Sequence, residues 1–377
     1  MKFYIWITLL VLSFTGRLYS QVGFAVDIEQ GHASNVFSNY RQLPDSYTAV
    51  EAQLNYDWLV KNSGFRLFYR PDFTWFQNFD YRSYQTHNIG TAYYVVLNQN
   101  GDKLTAGVDY RSRSHSDDYQ WFEYRQVNAY VGVRLSLANQ LLGYAGLATA
   151  LRNYSALTPF SHRIDQIYLR ISRFFDSGTT IITEANLLQK QYSAERQTQM
   201  PEGFPTFYTD GMGDNRQFVA LVRLAQSLSP NSGISSQFLA RRNMANTVRY
   251  LVSTEGDYYS DEELFDDVFG FDGEQYSLSF KQRLPWKMTG ELALGLHNKR
   301  YINRYAFDLE GYPFEDLRIR RDQRQTVSLS LTKPLRFNQK LEALSISLDF
   351  AAIVNRSNDP YYHYRNRYFS LSLSQKF

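Results

Sequence analysis

This chain of 377 residues contains no cysteine, and its positive and negative charges nearly balance. Without cysteine, disulfides, thiolate zinc sites, a cysteine nucleophile and a lipid-modified N-terminal cysteine are excluded. After the first 20 residues, no stretch approaches the roughly 18 apolar residues that a membrane-spanning helix needs. The formal net charge is +3 with acids and bases interspersed, so no clustered basic face indicates a nucleic-acid partner.

Histidine is scarce and lacks metal-binding spacing. The six histidines fall mostly in or beside predicted loops, and none has another at i+2 or i+4. His297 lies near the end of a predicted strand with Glu291 close by, but the chain has no G-x-S-x-G nucleophile motif. We therefore predict no enzyme activity, no cofactor and no metal site, with a Ser–His or Asp–His hydrolase as the open alternative.

Aromatic residues are abundant instead. The chain holds 30 tyrosines and 27 phenylalanines against 5 tryptophans. Rings with one polar end settle at the interfaces of a bilayer, which makes this composition typical of a membrane barrel.

The N-terminus predicts a cleaved export signal over residues 1–20. Lys2 supplies the basic region and Phe3–Phe14 the apolar core. Leu18 and Ser20 precede a cleavage point that leaves Gln21 as the first residue of the mature chain. A membrane anchor is the alternative for this segment, although its apolar core is short for one.

From residue 22 onward, apolar and polar residues alternate with a period of two. In Tyr47–Trp58, one phase carries Val, Ala, Leu, Tyr and Trp, and the other carries Glu, Gln, Asn and Asp. Alternation of this kind places the two sets on opposite faces of a β-strand. The polar phase carries full charges in strand after strand, which favours a wet lumen behind a lipid-facing surface over the core of a soluble sandwich.

Short turns and long loops alternate along the chain, and their number sets the strand count. Seven turns and eight loops make fifteen connections, which predicts an all-β, antiparallel up-and-down barrel of about 16 strands over residues 21–377. Short periplasmic turns and long outer loops are the outer-membrane pattern. An even count places both termini in the periplasm, and a first strand near Phe24 leaves no room for a plug domain.

The phase of each strand predicts which charges face the lumen. The predicted lumen-lining residues are Glu51, Asp57, Arg66, Arg70, Asp72, Asp109, Arg111, Arg134, Arg170, Glu184, Arg223, Lys281, Arg283 and Glu291. The two signs are nearly balanced, whereas a strongly selective ion channel would show one sign. The charges either line a water-filled pore or pair across the interior and fill it. Sixteen strands favour an open or gated pore, because an aqueous channel is usual at that count.

An acidic segment at residues 255–274 contains no basic residue. It is either a constriction inside the lumen, a weak calcium site or a solvated outer loop, since calcium takes several carboxylate oxygens. The candidate residues are Asp257, Asp261, Glu262, Glu263, Asp266 and Asp267. Ser260 followed by Glu263 predicts a short helix over Asp261–Val268. Interleaved leucine, valine and phenylalanine favour a folded loop.

The last ten residues carry a further pattern. Phe369, Leu371, Leu373 and Phe377 alternate with serines. This alternation, which ends in an aromatic residue, resembles the C-terminal signal by which outer-membrane barrels are recognised for insertion. The resemblance implies the barrel-assembly machinery as a partner, and an ordinary final strand is the alternative.

The export signal, the strand rhythm and Phe377 resemble the bacterial outer-membrane β-barrel superfamily across the whole mature chain. This implies a location in the lipid of the outer membrane of a Gram-negative bacterium. More locally, Asn355–Arg365 and Arg320–Asp322 resemble the barrels that export exopolysaccharides or assemble surface lipoproteins. Those barrels usually carry a helical-repeat periplasmic domain, so this resemblance implies a separate periplasmic partner protein.

Three functions follow as hypotheses. The first is a porin-like pore with a polar, mixed-charge lumen for small hydrophilic solutes. The second is an export or assembly barrel for a surface polysaccharide or lipoprotein that works with a periplasmic partner. The third is a filled structural or adhesive barrel that acts through its outer loops.

Overall fold

The computed structural model describes residues 22–193, 207–209, 214–245, 249–251, 264–335 and 344–377, and the predicted export signal lies outside these ranges. In the described part of the chain, sixteen antiparallel strands close into one barrel, and a separate two-stranded sheet is formed by β10 and β13. The strands in chain order are β1 (Val22–Ala33), β2 (Asp45–Val60), β3 (Ser63–Phe76), β4 (Tyr84–Val96), β5 (Lys103–His115), β6 (Tyr124–Ala138), β7 (Leu141–Tyr154), β8 (His162–Phe174), β9 (Thr179–Tyr192), β10 (Phe207–Thr209), β11 (Asn215–Ser229), β12 (Ser232–Asn243), β13 (Arg249–Leu251), β14 (Phe271–Arg283), β15 (Thr289–Tyr305), β16 (Ile319–Leu335), β17 (Leu344–Ser357) and β18 (Tyr364–Lys376).

Connections of two lengths lie at the two ends of the barrel, as the sequence predicts. Tight turns such as residues 61–62 join strands at one end, and long loops such as residues 306–318 join them at the other. Short 3₁₀ helices occur at Asp80–Arg82, Asp117–Phe122, Thr158–Phe160, Val268–Gly270, Pro285–Lys287 and Pro360–Tyr362. Within the described ranges, no helix has the length and apolarity needed to cross a membrane.

Both described chain ends lie at the turn end. β1 pairs with β18 and closes the barrel. The N–H of Phe377 donates to the carbonyl of Phe24 at 2.8 Å, and the two rings stack with centroids 5.4 Å apart. The even strand count and the placement of both ends at the turn side are thereby confirmed.

Side-chain alternation gives the barrel an apolar outer surface. The outward phase of nearly every strand carries exposed leucine, isoleucine, valine or aromatic side chains, such as Leu169, Leu294 and Leu371. A girdle of this extent is far larger than the scattered apolar residues of a soluble surface, and it is the lipid-facing belt of a transmembrane barrel. Trp58 and Trp286 are exposed near the turn end, where aromatic rings meet lipid headgroups.

Described residues of several long loops pack together at the opposite end. Their apolar side chains form one buried cluster with inward-facing residues of the strands, which we call the loop cap: Ala33, Val36, Phe37, Tyr119, Phe122, Tyr154, Leu157, Phe160, Leu251, Leu264 and Phe265. Phe37, Leu157 and Phe265 are fully buried. Because burial of one such side chain contributes roughly 1.5–3 kcal/mol, the cluster holds the loops in a folded arrangement over the mouth.

Candidate functional site: the barrel interior

The inward phase of the strands lines the interior. Because Leu54, Tyr56 and Trp58 are exposed to the outside, the alternating residues of β2 point inward. The same reasoning on each strand places the predicted lumen residues on the inner face: Glu51, Asp57, Arg66, Arg70, Asp72, Asp109, Arg111, Arg134, Arg170, Glu184, Arg223, Lys281, Arg283 and Glu291.

Three ion pairs in the turn-side half of the interior are open to water. Arg66 pairs with Asp57 at 2.6 Å, and their side chains are 48% and 35% exposed. Arg170 and Glu184 lie 2.7 Å apart and are 46% and 23% exposed. Lys281 and Glu291 lie 3.7 Å apart and are 64% and 41% exposed. Inward-facing side chains are exposed to this extent where no protein covers them, so the described part of the chain leaves the space beside these three pairs open to water.

The two walls of the lumen differ in bulk. From β12 to β18 the inner face carries mostly small side chains, including Ser235, Ser277, Ser279, Ala293, Gly295, Thr326, Ser328, Ser347 and Ser372. Ser235 and Ser279 share a hydrogen bond of 2.8 Å along this wall. Small residues project little into the lumen and line it with hydroxyl groups that can hydrogen-bond water.

On the opposite wall, tyrosine rings lie flat over glycines. The pairs are Tyr47 over Gly31, Tyr94 over Gly64, Tyr130 over Gly107, and Tyr168 over Gly132 and Gly146. A Cβ atom on Gly107 would lie 2.7 Å from the ring of Tyr130. Each ring therefore occupies the space that a side chain would take and stays against the wall instead of projecting into the lumen.

The ion pairs of the loop-side half are buried. Lys190 pairs with Asp267 at 2.7 Å, with both side chains at most 3% exposed. Arg320 pairs with Asp322 at 2.5 Å with 1% and 2% exposed. Lys299 pairs with Asp266, and this pair is also buried. Protein, rather than water, surrounds these charges.

Asp266 and Asp267 belong to the segment Leu264–Gly270, which we call the latch segment. Tyr301 and Lys299 donate to the carboxylate of Asp266. Arg304 donates to the carbonyl of Phe265 and, at 2.7 Å, to the hydroxyl of Tyr362. Because Lys299 and Arg304 lie on β15, these contacts hold the segment inside the outer mouth.

The charges around Asp266 keep it ionised. Burial alone would raise the pKa of this carboxyl, but Lys299 and Arg320 hold its pKa well below its usual range. Opposite charges and hydrogen bonds that favour the ionised form outweigh the desolvation here. The attraction between the ionised Asp266 and Lys299 therefore persists at neutral pH.

The helix predicted over Asp261–Val268 is wrong for the residues that the structure describes. Leu264 and Phe265 form a turn and Asp266 a bend, and only a short 3₁₀ helix follows at Val268–Gly270. Asp267 accepts the N–H of Phe269 at 3.0 Å and so caps this 3₁₀ helix. Leu264 and Phe265 are both buried in the loop cap, whereas Asp266 and Asp267 face lysines of two different strands, β15 and β9.

The acidic candidates fall into two groups. Asp257, Asp261, Glu262 and Glu263 lie outside the described residues. Asp266 and Asp267 lie in the mouth and face lysine ammonium groups. Across the described ranges, no group of three His, Asp or Glu residues is arranged to hold a metal ion.

The partners of the latch segment are functional residues that the sequence reasoning missed. Lys190 and Lys299 lie on the inward phase near the loop-side ends of β9 and β15, so the same phase argument could have found them. Their acids could not be assigned, because Asp267 lies 77 residues from Lys190 along the chain.

The residues of the predicted insertion signal lie on the outer surface. Phe369, Leu371 and Leu373 are exposed on the lipid-facing side of β18, and Phe377 lies at the turn end beside Phe24. The alternating serines face the lumen.

No protein-family model and no curated protein matches this chain. Its fold is similar to that of OccK1 (OpdK) of Pseudomonas aeruginosa, with a TM-score of 0.51, 10% sequence identity, and coverage of 96% of this chain and 100% of that one. OccAB2 of Acinetobacter baumannii gives a TM-score of 0.50 and 11% identity, over 96% of this chain and 99% of that one. OccK5 (OpdH) of P. aeruginosa gives a TM-score of 0.50 and 10% identity, over 95% of this chain and 98% of that one.

The chain has the fold of the outer-membrane porins. At these identities the similarity concerns the fold and not the solute. The fold and the lipid-facing belt together are those of a membrane-spanning β-barrel. In outer-membrane barrels the long loops face outward from the cell and the short turns face the periplasm, and we expect the same orientation here.

Proposed function

We propose that the protein is a porin-like channel for small hydrophilic solutes whose outer mouth is narrowed by the loop cap and the latch segment. The observation that supports this function is the exposure of the turn-side ion pairs. Arg66 and Lys281, for example, face the interior and yet are about half exposed or more. A barrel with a filled interior would bury such groups.

The lining suggests which solutes pass. Lysine, arginine and carboxylate side chains alternate on the inner face, so an ion of either sign meets both attraction and repulsion along its path. We therefore expect weak ion selectivity and passage of uncharged polar solutes. The hydroxyl-rich wall from β12 to β18 offers hydrogen bonds without occupying the lumen.

In this proposal, the loop-side half of the lumen limits the rate at which solutes pass. A solute that enters from outside must pass the buried contacts of Asp266 and Asp267 with their lysines. Removal of one partner from a buried ion pair typically costs about 3–5 kcal/mol. Such a loss should release the latch segment from the mouth while the strands stay paired.

Single-channel recording of the full chain in planar bilayers tests the proposal. We expect small or intermittent currents for the wild type and a severalfold larger conductance for the double variant Asp266→Ala/Asp267→Ala. The matched control is Lys281→Gln/Glu291→Gln, which removes an exposed pair from the other half and should conduct nearly as the wild type does. Absence of current from both the wild type and the latch variant, at any voltage, would contradict a pore.

A filled structural barrel that acts through its outer loops is the second candidate. The buried loop cap favours it, because eleven apolar residues pack across the mouth. Under this function, release of the latch segment would leave the barrel without current, and liposome swelling in a small uncharged sugar would match that of empty liposomes. The same variants therefore separate the two candidates.

A further inference from the structure

Six arginines lie on the outward phase at the loop-side ends of β12 and β15–β18. We call them the rim arginines: Arg242, Arg300, Arg321, Arg356, Arg365 and Arg367. All six are exposed. They lie directly above the lipid-facing belt, since Arg356 follows Val354 on the outer face of β17 and Arg367 precedes Phe369 on that of β18.

Within the described part of the chain, the rim arginines carry more positive charge than the neighbouring carboxylates neutralise. Asp272 lies 3.5 Å from Arg300, and Glu274 lies 2.6 Å from Arg242. These are the two carboxylates that the strands bring to the group. For the side chains of the other four arginines, the described part of the chain provides no ion pair and no hydrogen bond.

Two rim arginines also oppose each other directly. Arg300 and Arg321 are cross-strand partners on β15 and β16. Like charges in this position destabilise a sheet. Asp272, 3.5 Å from Arg300, offsets part of this repulsion, and a bound anion would offset the rest. A recess of about 450 Å³ lies beside the two arginines; its lining includes Arg242, Asp272, Glu274, Arg300, Arg321 and Arg356, together with Lys299 and Asp322.

The position of the recess identifies the kind of anion. It faces the bilayer at the height where the apolar belt ends, so the groups beside it are lipid headgroups and not solutes of the lumen. Guanidinium groups bind phosphate oxygens in a bidentate manner. On the other side of the barrel, the outward faces of β3 and β5 carry exposed aromatic residues, including Tyr69, Trp75 and Tyr110. The recess and its four arginines lie on one arc of the rim, whereas β6 and β8 each carry a single exposed outward arginine, Arg125 and Arg163.

We propose that the rim arginines form a binding site for the phosphorylated headgroup of an outer-leaflet lipid, with Arg300 and Arg321 at its centre. The bound phosphate offsets the repulsion between these two side chains and fixes the lipid against the β12–β18 wall. This site is independent of solute passage, because it lies on the outer surface of the barrel.

Native mass spectrometry of the full chain in a neutral detergent tests the site. The probe is dioleoyl phosphatidic acid, whose headgroup is a phosphate monoester, compared with dioleoyl phosphatidylcholine. We expect the wild type to retain phosphatidic acid preferentially and Arg300→Gln/Arg321→Gln to bind it about tenfold more weakly, because charge-assisted hydrogen bonds are lost. The matched control is Arg125→Gln/Arg163→Gln, which removes two exposed outward arginines from β6 and β8 and should bind as the wild type does.

Thermal unfolding provides a second readout. Without added lipid, Arg300→Gln/Arg321→Gln should unfold at or above the temperature of the wild type, because the variant removes repulsion. Phosphatidic acid should raise the unfolding temperature of the wild type and not that of the variant. A lower unfolding temperature of the lipid-free variant would indicate a purely structural role and overturn the site.

Two other results would also overturn it. Equal loss of lipid in the control variant would indicate a general charge effect of the rim. Displacement of the lipid by millimolar inorganic phosphate would mean that the arginines bind free phosphate rather than a lipid.

Discussion

The turn-side and loop-side halves of the lumen differ in how far their ion pairs are exposed to water. Both contain pairs of lysine or arginine with aspartate or glutamate. The turn-side pair of Arg66 and Asp57 is open to water, whereas the loop-side pair of Lys190 and Asp267 is enclosed by protein. An exposed pair contributes about 0–1 kcal/mol, but the loss of one partner from a buried pair costs about 3–5 kcal/mol. Exposure to water, rather than residue type, therefore determines which ion pairs stabilise the fold and which contribute little to stability.

The largest change should come from Phe265→Ala in the loop cap. Phe265 is fully buried and lies against Phe122, with ring centroids 6.2 Å apart. Truncation of a buried phenylalanine costs about 3–5 kcal/mol, which should open the loop-side half while the turn-side half stays unchanged. We expect faster proteolysis within residues 264–270 and a higher conductance.

Phe350→Ala is the matched control for that prediction. Phe350 is an exposed, lipid-facing residue of β17, so its loss removes a ring without disturbing the loop cap. Equal protection of residues 264–270 in Phe265→Ala and in the wild type would show that the loop cap does not hold the mouth.

A smaller effect is expected from Gly107→Ala on the wall of the lumen. The new methyl group would meet the ring of Tyr130 at 2.7 Å and push it toward the lumen. Overpacking of this kind costs about 1–3 kcal/mol and should lower the conductance of a channel already opened by Phe265→Ala. At Gly295, a Cβ atom would meet Thr326 at an ordinary 3.6 Å, so Gly295→Ala should leave the conductance unchanged.

A still smaller effect on stability is expected from Lys281→Gln in the turn-side half. Its exposed pair with Glu291 should contribute less than about 1 kcal/mol. Loss of one positive charge from the lumen should nevertheless shift the reversal potential in a potassium chloride gradient toward cation preference, and high salt should weaken this shift. An unfolding temperature far below that of the wild type would place Lys281 among the structural charges instead.

The smallest effect is expected from mild acid. A carboxyl whose pKa is depressed in the folded protein contributes stability that is complete above its unfolded pKa and is lost only as the pH falls through the lower folded value. Asp266 is such a group, and its unfolded pKa is about 4. Burial raises the pKa of Asp359 in the loop at residues 358–363, so its protonation on acidification does not weaken the loops either.

The wild-type conductance should therefore stay constant between about pH 7 and pH 4.5. Recordings over this range check the prediction. Opening of the channel between pH 6 and pH 5 would show that another group, and not Asp266, controls the latch segment.

The sequence predicts the barrel well because strand alternation and connection length are local properties. The count of sixteen strands, the inward phase of Arg170 and Lys281, and the position of the termini all follow from short windows of residues. The helix over Asp261–Val268 fails for the opposite reason. Its local capping pattern is overridden by contacts of Phe265 and Asp267 with distant loops and strands.

The sequence by itself therefore determined the class of fold and the faces of its strands, because a period of two assigns each residue to lipid or lumen. Tertiary structure alone decided which charges of the lumen are exposed to water and which are buried. The loop cap joins loops from widely separated parts of the chain, and the like-charged neighbours Arg300 and Arg321 meet only when β15 pairs with β16. Such contacts depend on barrel closure and register, which bring residues together irrespective of their distance along the chain.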